Sequence, residues 1–134
     1  MRYNGVIEAK LRIIEQKLSE IESWNIGSFQ QLHDSSLLQN ALERALQVCT
    51  EVMIDISERI LALQQVPPLS SAAENMKKLR EMKILSDRPE YEEMVRFRNF
   101  IVHRYEKIDL EILYGILKNK LFFFSEFIKE IREN

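Results

Sequence analysis

A chain of 134 residues with only three glycines and three prolines has too few turn formers for an all-β fold, and its Leu, Ile, Glu, Lys and Gln content favours helices in one domain over 1–134. One cysteine and two histidines exclude a disulfide framework and a zinc-ligand spacing; with no membrane-length apolar run and no signal-peptide core after Met1, a soluble cytoplasmic protein is expected. The net charge of -2 argues against nucleic-acid binding by bulk electrostatics, although residues 76–107 carry nine Lys/Arg against six Asp/Glu.

The first predicted helix runs from about Tyr3 to Ser23, where Ile7, Leu11, Ile14, Leu18 and Ile21 recur at four- and three-residue steps and form one apolar seam. Asn25-Ile26-Gly27 breaks it. His33, beside Asp34 in a polar connection, reads as an exposed side chain, and Trp24 as a packing residue. A long second helix is predicted to start near Ser36, where Ser36 and Gln39 match a capping box. Its seam is Leu38, Leu42, Ala45, Cys49, Val52, Ile56, Ile60 and Leu63, which makes Cys49 a buried structural thiol. Glu51, Asp55 and Glu58 form an acidic row on this helix, either a solvated face or, through Asp55, a group that orients Arg98 or His103. The helix must end before Val66-Pro67-Pro68, because proline lacks a donor and restricts the residue before it.

Ser71 and Glu74 match a second capping box, opening a short helix that lasts to about Leu85. Ser86-Asp87-Arg88-Pro89 punctuates the chain, and a helix from about Glu90 follows, with Pro89 suited to its first turn and Tyr91 to packing. A final helix is predicted from the N-cap Asp109 nearly to Asn134. The elements describe an all-α antiparallel bundle of four to five helices. In the last helix Leu121, Phe122, Phe123 and Phe124 sweep roughly 300° around the axis, more than one core can cover. A neighbouring helix or the linker at 64–71 covers the second face, or a second copy does, in a homodimer.

Chemistry concentrates in Arg98-Asn99-Phe100-Ile101-Val102-His103-Arg104-Tyr105. A guanidinium offers a fork of donors to a phosphate and an imidazole moves protons near neutral pH, two of the parts needed to cut RNA without a metal. On a regular helix Asn99 and His103 share a face, whereas Arg98 and His103 stand about 140° apart. Either the helix distorts near His103 or two chains combine their motifs across a symmetric cleft. The plain alternative is that these side chains bind the carbonyls at a helix end.

The octapeptide resembles the HEPN superfamily (higher eukaryotes and prokaryotes nucleotide-binding), an all-helical group with an R-polar-x-x-x-H signature. Its HepT-like branch extends this to R-N-x-x-x-H-x-Y, which Arg98, Asn99, His103 and Tyr105 match. Ile54-Asp55 followed by Ile60, and Tyr105 to Asp109, extend the resemblance over most of the chain; residues 25–36 carry no match. The resemblance implies a metal-independent ribonuclease toxin, without cofactor, whose minimal nucleotidyltransferase antitoxin silences it by adenylylating Tyr105. It also implies a homodimer with the motifs facing a shared cleft. The alternative it leaves open is a non-catalytic nucleotide- or substrate-binding partner of that transferase. Because RNA supplies its own 2′-hydroxyl nucleophile, His103 would serve as general base or acid and Arg98 would neutralise the phosphate. Asn99 would position substrate or orient His103. Arg104 adds a phosphate contact or is a solvated residue, and Tyr105 stacks on a base or packs.

Overall fold

The computed structural model describes residues 5–102 and 109–134, and every regular element among them is a helix: α1 (Gly5–Ser23), α2 (Phe29–His33), α3 (Ser36–Leu63), α4 (Ala72–Glu81), α5 (Glu90–Val102), α6 (Leu110–Asn119) and α7 (Leu121–Glu133). The predicted helical bundle is therefore the fold, in more pieces than the periodicity suggested. No helix of the described residues is long and apolar enough to cross a membrane.

The 28-residue α3 is the axis of the bundle, packing against α1, α2, α4 and α5. The predicted seam accordingly understates its burial: Leu46, Met53, Ile54 and Leu61 are buried beside Leu42, Ala45, Cys49, Ile56 and Ile60, while Leu63, near its end, is exposed. In α1 the seam is close to the prediction, with Ile7, Leu11, Ile14 and Ile21 buried and Leu18 half-buried against the core.

The ends show which local rules hold. Ser71 caps α4 by accepting the Glu74 N–H at 3.1 Å, and Asp109 caps α6 by accepting from Glu111 and Ile112, both as expected. The cap of α3 is Ser35, not Ser36: its hydroxyl accepts the Leu38 N–H at 3.1 Å, while Gln39 reaches back to the Leu32 and His33 carbonyls. The missed α2, itself capped by Ser28, ends at Asp34 and so leaves Ser35 as the one extended residue before the new helix. At five residues α2 is too short to show a period.

Two helices stop on a non-glycine residue in the left-handed region, with the paired closing bonds of a Schellman motif. Gln65 (φ 61°) closes α3, and Val66 N–H returns to the Leu61 carbonyl. Lys83 (φ 64°) closes α4 at Glu81 rather than near Leu85, and Ile84 N–H returns to Leu79.

The predicted final helix is two helices meeting at Lys120, whose φ of -119° departs from helical values. The break resolves the surplus of apolar surface. It lets α6 turn toward α2 while α7 packs on α1 and α5. Phe124 is then buried, Leu121 and Phe123 half-buried, and Phe122 left 57% exposed beneath the Arg88 guanidinium, 5.4 Å from its ring centre. An all-round burial of this run is not what the single chain achieves. The linker does not cover it either; Val66 to Ser71 instead line a cavity with α3, α4 and Arg98. Arg132 holds α7 to α1 by paired hydrogen bonds to Glu8 and Glu15.

Candidate functional site

Helix α5 is fixed at its start by buried packing and ion pairs. Tyr91 is buried, set edge-on to Phe127, and donates its hydroxyl to Glu130 at 2.7 Å. Glu92 pairs with Arg80, which also holds Asp87 at 2.6 Å. Met94 and Val95 continue the buried face. One turn later Arg98 and Asn99 both stand on regular helix, so that side chains about 100° apart diverge. Arg98 is half-buried and enters a cavity of about 460 Å³, whereas Asn99 is exposed. His103, Arg104 and Tyr105 lie outside the described residues.

Arg98 differs from the other part-buried arginines. Arg80, Arg88 and Arg132 each carry acidic partners. Arg98 has none among the described residues; its Nε is buried without a hydrogen-bond acceptor, as is that of Arg80, but Arg80 places its other nitrogens on Asp87 and Glu92. No described backbone carbonyl takes its donors, so the helix-end alternative does not account for it. A half-buried guanidinium without a counter-charge is an unfavourable ground state that a phosphate would relieve, through charge-assisted and geometrically matched hydrogen bonds.

Asp55 is engaged elsewhere. Its carboxylate meets Lys10 Nζ at 2.5 Å and Arg59 at 3.3 Å, on the side of α3 that faces α1. Against the opposing effect of burial, the hydrogen bond and charge of Lys10, with Arg59 behind it, hold this carboxyl below its ordinary range. Among the described residues it makes no contact with Arg98, and His103, the other residue it was expected to orient, lies outside them. The acid that shares the Arg98 cavity is Glu58, one turn further along α3.

Asn75 and the Val66-Pro67-Pro68 linker also line this cavity, and sequence reasoning did not connect them to the motif. The proline pair marked the linker as a helix stop, but nothing local in it reports that it folds back over Arg98. The remaining sequence expectations are simpler. His33 is exposed and bonds Asp34 at 3.1 Å, Trp24 packs half-buried on the core, and Cys49 is fully buried, which pushes its thiol up to about 12.

On the flank of α5 away from the linker, the Phe97 and Phe100 rings stack with centres 5.8 Å apart. With Ile112, Ile116 and Phe124 they line an apolar cavity of about 270 Å³. Phe100 and Ile112 are 36% and 45% exposed, so the motif helix is bordered by apolar surface among the described residues.

Comparison with known proteins sets this geometry in context. The family model described as Ribonuclease HepT-like matches residues 14–131. The mRNA nuclease HepT of Shewanella oneidensis is 27% identical over 131 residues, spanning 96% of this chain and 98% of that protein. Among solved structures, a tri-AMPylated Shewanella oneidensis HEPN toxin in complex with MNT antitoxin superposes with a TM-score of 0.87 at 27% identity, over 98% of this chain and 100% of that one. A toxin–antitoxin structure with AMP-PNP gives the same TM-score of 0.87 at 26% identity, again over 98% and 100% of the two chains.

Proposed function

The chain belongs to the HepT-like ribonuclease family, and from that premise we propose that it is the metal-independent ribonuclease toxin of a toxin–antitoxin pair. Its partner is a minimal nucleotidyltransferase antitoxin, which silences it by adenylylating Tyr105, as the AMPylated relative in complex with its antitoxin supports. The observation that carries the reading is Arg98, a half-buried cation without a counter-charge among the described residues, at the head of the motif R-N-x-x-x-H-x-Y.

In this reading the RNA 2′-hydroxyl attacks the adjoining phosphorus and the bond from phosphorus to the 5′-oxygen breaks, leaving a 2′,3′-cyclic phosphate and a 5′-hydroxyl that takes up a proton. His103 moves the proton, Arg98 stabilises the charge that gathers on the phosphoryl oxygens, and Asn99 orients substrate or imidazole. Arg104 adds a phosphate contact. The protein acts in the cytoplasm as one domain over 1–134 and as a homodimer. The apolar flank at Phe100 and Ile112 supports a dimer that brings two motif helices to one cleft. An adenylyl group on Tyr105 would place a phosphate and a purine two residues from His103, filling the space that RNA needs.

The test is cleavage of labelled RNA by purified protein in the presence of chelator. The wild type should cut and His103→Ala should not. Incubation with the cognate nucleotidyltransferase, ATP and magnesium should add AMP to the peptide containing Tyr105 and stop cleavage, and Tyr105→Phe should escape both effects. Equal cleavage by wild type and His103→Ala would remove the catalytic assignment.

A further inference from the structure

We propose that the cavity beside Arg98 is a nucleobase subsite that accepts a base carrying an exocyclic amino group, with Arg98 holding the adjoining phosphate. The assignment rests on the ribonuclease reading above and deepens it, because it names what the site selects in its substrate.

The space is adequate: about 460 Å³, within the roughly 300–1,000 Å³ of pockets that take small ligands. Its walls suit a flat heterocycle. Leu61 and Val66 provide apolar surface on one side, and the Pro67-Pro68 ledge is rigid and offers no backbone N–H. The ledge is held by the turn at Gln65 and by the Val66 N–H bond to the Leu61 carbonyl at 2.9 Å, so the slot is formed before any ligand arrives.

The polar groups give the preference. Asn75 is 6% exposed, yet it lines the cavity. Its amide N–H donates to Ser57 Oγ at 3.4 Å, and Ser57 in turn donates to the Ile54 carbonyl at 2.6 Å. That chain orients Asn75 and leaves its carbonyl oxygen with no donor among the described residues. The Glu58 carboxylate, on the same cavity, has no cationic partner among them either. The Ser71 hydroxyl is committed as an acceptor to the Glu74 N–H. Two acceptors without a donor among the described residues thus share a slot with Arg98. Acceptors of this kind recognise an amino group, as on adenine, cytosine or guanine. The two N–H donors of an amino group can meet both acceptors, whereas uracil offers the single N3–H and leaves one without a partner. Glu58 is exposed and Asn75 buried, so the cost falls on Asn75.

The same chemistry could come from a nucleotide within an RNA strand or from a free mononucleotide, and the experiment separates them. A random-sequence RNA pool is cut by the wild type, by Asn75→Leu and by Glu58→Gln, with His103→Ala as blank, and the new ends are sequenced. One position beside the cut should favour amino-bearing bases over uracil by roughly tenfold, and both variants should flatten that preference. In the wild type alone, exchanging the preferred base for its amino-less analogue (cytidine to uridine, adenosine to purine riboside, guanosine to inosine) should lower kcat/KM by about tenfold. This substrate swap decides the matter even where Asn75→Leu fails to fold. Uniform base usage beside the cut, a preference for uracil, or indifference to the swap would overturn the subsite. A wild type no more active than the blank overturns the ribonuclease reading instead. The cavity is then judged by binding of AMP against purine riboside 5′-monophosphate: tighter AMP binding retains the slot for free nucleotides, and equal or no binding removes it.

Discussion

At the scale of single residues, Arg98 and Cys49 illustrate opposite outcomes of burial. Arg98 is half-buried without an acidic partner among the described residues, which makes it a poor structural residue and a good ligand for phosphate. Arg98→Ala should reduce RNA cleavage by roughly a hundredfold or more, the scale of a lost charge-stabilising donor, with little loss of stability. Arg98→Lys should recover only part of the rate, because an ammonium keeps the charge and loses the fork. Steady-state cleavage and a thermal melt on both variants check this. Cys49 is fully buried, and desolvation pushes its thiol from an ordinary value of 9.0 up to about 12. A group whose folded value is raised contributes stability that is complete below the unfolded value and is lost as pH rises toward the folded one. The stability difference between wild type and Cys49→Ala should therefore be constant below about pH 9 and narrow between about pH 9 and 12. Urea unfolding across that range would show it, and a widening gap would contradict the buried thiol.

At the scale of elements, caps and breaks were legible where the signal is local and hidden where it is not. Ser71 and Asp109 were identified as caps because a short polar side chain beside a helix start has one favourable partner, the free N–H groups of the first turn. Ser35 and Ser36 are chemically equal candidates, and only the preceding α2 selects Ser35. The division at Lys120 has no glycine or proline to announce it; it exists because α6 and α7 pack on different neighbours. Since α4 carries Asn75 and begins where the linker ends, its cap supports the cavity as well as the helix. Ser71→Ala should cost about 1 kcal/mol of stability, measured by denaturant unfolding, and should raise KM for RNA more than it lowers kcat.

At the scale of the whole molecule, the exposed apolar surface beside the motif helix points to assembly. Phe100 and Ile112 are exposed side by side along a cavity lined by the half-buried Phe97 and Ile116 and the buried Phe124. Phe122, the residue of the apolar run left outside, is exposed beneath Arg88 and lies with the end of α1, away from the motif helix. The protein should sediment as a dimer at micromolar concentration. Phe100→Glu or Ile112→Glu should shift it toward monomer and lower cleavage, whereas Phe122→Glu should leave the dimer intact. An active monomer, or a monomer produced only by Phe122→Glu, would place the interface elsewhere.

The sequence by itself determined the helical class, the caps at Ser71 and Asp109 and the motif, since each depends on interactions within a turn or two of chain: apolar spacing, a capping side chain, a proline stop. Arg98 and Asn99 were visible in the same way, as chemistry gathered in eight residues. Only the tertiary structure decided that Asp55 belongs to Lys10 and Arg59, that Glu58 and Asn75 stand with Arg98, and that a proline linker forms the wall between them. Those relations join residues up to 45 positions apart, from Lys10 to Asp55. They follow from how α3, α4 and α5 pack, which no local periodicity encodes.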